Sequence, residues 1–63
     1  MAIETRVAQK DKLYSLLLVK RAYEKKGLEV IKDLKWAVNY AMAAMEQEDI
    51  AWVEKQVERE LAD

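Results

Sequence analysis

The sequence predicts an all-α fold built on an antiparallel helical hairpin, and three observations carry that expectation. There is no proline, Gly27 is the single glycine, and apolar residues recur at three- and four-residue spacing on both sides of it. One strong punctuation mark in 63 residues leaves helix as the expected state nearly everywhere else. The whole chain, 1–63, reads as a single helical-hairpin domain hinged at Gly27.

Upstream of the glycine, Ile3, Val7, Tyr14 and Leu17 form one apolar row and Leu13, Leu16, Val19 and Tyr23 another. Together they mark the buried side of a first helix over 3–26. Lys25 and Lys26 put cations where a helix C-terminus favours them, and Gly27 can take the left-handed cap. Beyond it, Glu29 and Asp33 put negative charge near the start of a second helix with the stripe Ile31, Leu34, Val38, Ala41, Met42 and Met45. A short link between long helices makes them antiparallel neighbours.

Between Leu34 and Met45 ten of twelve residues are apolar, the exceptions being Lys35 and Asn39. A helix this apolar must be covered on several sides, and one neighbour cannot reach both the Val38 face and the face bearing Trp36, Tyr40, Ala43 and Ala44. The cover comes either from a second copy, in a dimeric bundle, or from residues 50–61 folding back as a third helix. The stripe Val38, Met45, Asp49, Val53, Val57 runs in phase through Glu46-Gln47-Glu48-Asp49, which contains no breaker, and this favours a continuous second helix. The alternative is a break near Asp49, with Asp49 capping a helix whose stripe is Ile50, Val53, Val57 and Leu61.

Charge is divided along the chain. Residues 1–26 hold seven Lys/Arg against three Asp/Glu, and residues 27–63 hold four against nine, so a total of −1 conceals a basic first part and an acidic second part. An acidic C-terminal segment laid along a basic first helix would satisfy both. At this length a lone core is marginal, and with no cysteine and no histidine the remaining reinforcement is self-association.

Composition also narrows the chemistry. Without cysteine or histidine there is no thiol or Ser-His nucleophile and no ordinary zinc site. One glycine rules out phosphate-binding loops. Acidic pairs such as Glu54 with Glu58, or Glu46 with Asp49, read as solvated faces, since no calcium-loop spacing accompanies them. An electrostatic enzyme built from Arg6, Lys10, Arg21, Lys35 and Glu48 would need a shared cavity that nothing in the sequence provides. No catalytic residue, cofactor or metal is therefore expected. The longest apolar run, Tyr40 to Met45, is far too short for a membrane span, and the N-terminus lacks the pattern of a secretory leader. The expectation is a cytoplasmic protein that does not enter a membrane.

Binding remains. Trp36, Tyr40 and Trp52 are many large rings for a short chain, and rings are enriched among interface anchors. The expected interaction surface comprises Trp36, Tyr40, Ala44 and Trp52, with Lys20 and Arg21 as a charged contribution. The function that follows is a small non-enzymatic interaction module of regulator or inhibitor type, pairing with itself as a dimer and acting on another protein. An alternative is a bundle that holds a small anionic ligand between Trp36 or Tyr40 and a cation such as Lys35. A third is nucleic-acid binding through Lys20, Arg21, Lys25 and Lys26, which a pI near 5.4 and seven acidic residues among the last eighteen disfavour.

Overall fold

The computed structural model describes residues 3–62, which fold into α1 (Ile3–Lys25), α2 (Lys32–Ala43) and α3 (Gln47–Ala62), with no strand among them. The expected hairpin with a continuous second helix thus gives way to a fold of three helices. The chain leaves the helical path after Ala43 and re-enters it at Gln47, slightly before the alternative break at Asp49.

α1 ends as its sequence requires. Gly27 has φ +74°, the N–H of Leu28 donates to the carbonyl of Tyr23 at 2.9 Å, and the N–H of Gly27 donates to that of Glu24 at 3.1 Å. This is the paired closure of a left-handed cap, and it satisfies carbonyls the helix leaves open. Replacing Gly27 with alanine forces a side chain into that region and is expected to lower stability by about 1–2 kcal/mol. Nothing lies within 4 Å of the added Cβ, so the penalty is conformational rather than steric, and D-alanine at the same position should remove it. Urea denaturation of the three forms measures the difference.

α2 starts without a side-chain cap. Ile31 occupies the N-cap position in an extended conformation, and its carbonyl accepts from the N–H groups of Leu34 and Lys35. Asp33 supplies negative charge in the first turn, while Glu29 stays in the linker. At the other junction, the carbonyl of Glu46 accepts from the N–H groups of Asp49 and Ile50, so Glu46 takes the N-cap position and Asp49 lies inside the first turn of α3. Asp49 is not the cap its sequence context suggests.

The core is formed by Leu13 and Leu17 of α1, Val38 of α2 and Val53 and Val57 of α3. Tyr14, Leu16, Leu34, Met42, Ile50 and Leu61 are among the partly buried side chains packed around it. Both α2 and α3 lean on α1 more than on each other. The fold is correspondingly flat, with Cα extents of 38 × 27 × 16 Å, the longest matching the roughly 35 Å of a 23-residue helix.

The expected apolar rows are only partly buried. Val7, Val19, Tyr23 and Ile31 remain exposed, because α2 and α3 approach α1 along the Leu13–Leu17 line and leave the flanks of the broad apolar face uncovered. The side chain of Ile3, also expected in that row, lies outside the described residues. Val30, in the linker, turns inward and is buried. The expected match of charge is present within the fold, where acidic α3 lies along basic α1 through Arg6–Asp49, Lys10–Asp49 and Arg21–Glu54.

Candidate functional site

Trp36 and Tyr40 stand one helical turn apart on the side of α2 opposite Val38. Their rings stack with centroids 5.9 Å apart and planes inclined by 19°. Offset stacking at this distance fixes the two rings against each other without covering their outer surfaces. Trp36 is 66% exposed and Tyr40 69%, the largest exposures among the big apolar side chains.

The rings form a ridge between two shallow depressions. On the α1 side an open groove of about 390 Å³ is lined by Lys12, Asp33, Trp36, Ala37 and Tyr40. A smaller one of about 220 Å³ is lined by Trp36, Asn39 and Tyr40. Further along α2, Tyr40, Ala41 and Ala44 meet Gln9 and Lys12 of α1 in a continuation of the same strip. Trp36, Tyr40 and Ala44 therefore lie along one strip. Lys12 and Asp33 are additions that no local pattern singles out, because their place beside the rings depends on how α1 lies against α2.

Trp52 belongs elsewhere. It sits half-exposed on α3 with the Lys10 ammonium 5.1 Å from its ring centroid, a cation–π contact. Lys10 also lies 3.7 Å from Asp49 Oδ1. Asp49 is only 5% exposed and is gripped by Arg6, whose Nε donates to Oδ2 at 3.1 Å and whose Nη2 donates to Oδ1 at 2.9 Å and Oδ2 at 3.0 Å. Planar guanidinium against planar carboxylate is the strong form of this contact. The Arg6 hydrogen bonds hold the Asp49 carboxyl below the ordinary aspartate range; burial pulls the other way, and the charges of Arg6 and Lys10 add to the lowering.

A carboxylate with a depressed pKa in the fold stabilises it above the unfolded-state pKa, and that contribution fades as pH falls through the unfolded value toward the folded one. The native chain should therefore lose thermal stability as pH drops below about 4. Asp49→Asn should be less stable at neutral pH and show a flatter acid limb. Thermal melts followed by circular dichroism across pH give both readings, and parallel acid limbs would mean that Asp49 is not the group responsible.

The basic cluster is largely occupied within the chain. Lys20 pairs with Glu24, Arg21 with Glu54, and Lys25 Nζ donates to the Leu61 carbonyl at the end of α3. Lys20 and Arg21 thus do not join the ring strip. Among the described residues no three carboxylates converge, and no helix is long and apolar enough to cross a membrane.

No protein-family model, curated protein or solved structure matches the chain. The mostly exposed aromatic pair, with Lys12 and Asp33 on the groove beside it, stands on an open surface rather than in an enclosing pocket. Lys12 and Asp33 line the same groove with opposite charge.

Proposed function

We propose that this chain is a small non-enzymatic interaction module of regulator or inhibitor type, that it pairs with a second copy along the outer face of α2 to form a helix bundle, and that it acts on another protein through its charged faces. The exposed Trp36–Tyr40 stack carries this reading. Large apolar side chains held in a fixed arrangement and left in water are the usual mark of a contact surface.

The edge of the ridge favours a second copy as its occupant. Lys12 and Asp33 lie on the same groove, one on each helix. A two-fold contact places the same patch on both sides, so each Lys12 can face the other copy's Asp33 while the rings meet at the centre. The small core and the absence of disulfide or zinc reinforcement add to the case for pairing, and the cysteine-free composition suits a cytoplasmic setting.

Solution mass by light scattering across a concentration series tests the reading. The expected result is a rise from one chain to two. Lys12→Glu should weaken the pairing, and combining it with Asp33→Lys should restore it. A mass of one chain at every concentration would overturn self-pairing.

A further inference from the structure

The joint between α2 and α3 carries a second route to assembly, independent of the aromatic ridge. Only residues 44–46 separate Ala43 from Gln47. Across the joint the sequence reads Ala43-Ala44-Met45-Glu46-Gln47-Glu48, all strong helix formers, with no glycine or proline to enforce a turn. Ala44 sits at φ −93°, ψ 1°, a modest departure from helix, and the N–H groups of Ala44 and Met45 still donate three residues back, to Ala41 and Met42. Glu46 holds the N-cap position of α3 although glutamate is not among the residues that favour it. Local preference therefore points to one unbroken helix, and the row Val38, Met45, Asp49, Val53, Val57 is spaced to keep a single face along it.

What bends the joint is the seating of α3 on α1. Val53 and Val57 enter the core beside Leu13 and Leu17, and Asp49 enters the grip of Arg6. α2 and α3 hold little of each other directly, so a straightened joint gives up mainly contacts between α3 and α1. A second copy can return every one of these, because it presents the same α1 with the same cations opposite the same carboxylates.

We propose that α3 exchanges between two copies of this chain: α2 and α3 straighten into one helix, and each α3 seats on the α1 of the other copy. The exchanged dimer keeps the core and the Arg6–Asp49 contact and gains regular helix at the joint, against the entropy of bringing two chains together. Its population rises with concentration. The ridge formed by Trp36 and Tyr40 takes no part.

Arg21 and Glu54, whose side chains approach to 3.7 Å between α1 and α3, report the exchange. Chains carrying Arg21→Cys alone and Glu54→Cys alone are mixed, refolded together at millimolar concentration and treated with a flexible bis-maleimide. Exchange places the cysteine of one chain beside that of the other only in the mixed pair. The expected product, read by mass spectrometry, is a covalent mixed dimer well above the proportion set by chance encounters. Adding Gln47→Pro to both chains should return it to chance, since proline fits the first position of α3 but not the interior of a continuous helix. Circular dichroism, with cross-linking inside a single chain that carries both cysteines, shows that the proline variant is folded. The Trp36→Ala/Tyr40→Ala background should leave the mixed product unchanged, which separates exchange from pairing along α2. A statistical product, persistence of the excess in the proline variant, or its loss in the alanine background would each overturn the exchange.

Discussion

Leu13→Ala is expected to remove a large share of the stability of the fold, about 2–5 kcal/mol. Leu13 is fully buried where α1 meets the other helices, in a core of five buried side chains. Truncating a buried leucine costs about 2–5 kcal/mol, the transfer of the lost atoms plus the cavity they leave. A chain of this length has a total stability of roughly 3–9 kcal/mol. The loss is thus a large fraction of what holds the fold, since most helical stability in a protein comes from packing of the apolar face rather than from the helix alone. Thermal melts by far-UV circular dichroism should show the midpoint lowered by about 10–30 °C, whereas Leu28→Ala, at an exposed linker position, should change stability by about 0.5 kcal/mol or less. A cooperative melt of Leu13→Ala at nearly the native temperature would mean that the helices are held by something other than this core.

Trp36→Ala combined with Tyr40→Ala should do the reverse, keeping the fold and losing the proposed pairing along α2. Both side chains are mostly exposed, and they face away from Val38, so their removal opens no cavity in the core. An aromatic anchor at the centre of a contact typically contributes about 2 kcal/mol or more, roughly thirtyfold in the dissociation constant. The two rings touch, so their effects should not simply add. Sedimentation across a concentration series measures the constant, and the thermal melt of the dilute protein serves as the control for folding. An unchanged constant would remove the ridge from the interface.

These outcomes bear on how much of the molecule its sequence discloses. The end of α1 was legible, because a lone glycine preceded by lysines has a local physical meaning that survives folding. The inward row of α3 was legible too, since Ile50, Val53, Val57 and Leu61 all pack in or around the core. The break before Gln47 was visible only as the less favoured alternative, two residues further on. Every residue in the joint prefers helix, and what bends it is the contact of α3 with α1, including a salt bridge between residues 43 positions apart. A pattern read over a few turns holds no information about such a partner. The same limit applied to Asp49, whose local context suggests a cap but whose carboxylate is taken by Arg6. Trp36 and Tyr40 were recognisable as a face in need of cover, yet their remaining free depended on α3 settling against α1.

The position of α1 as the shared neighbour has a consequence for how the molecule opens. Releasing α3 breaks one helix contact, and releasing α2 breaks the other, but unwinding α1 removes both. Amide hydrogens should then exchange with solvent in a graded order, those of central α1 around Leu13 and Leu17 last of all, through the rare events that dismantle the whole fold. The N-terminal helix is in this sense the slowest clock in the protein, and the shorter helices that rest on it keep faster time.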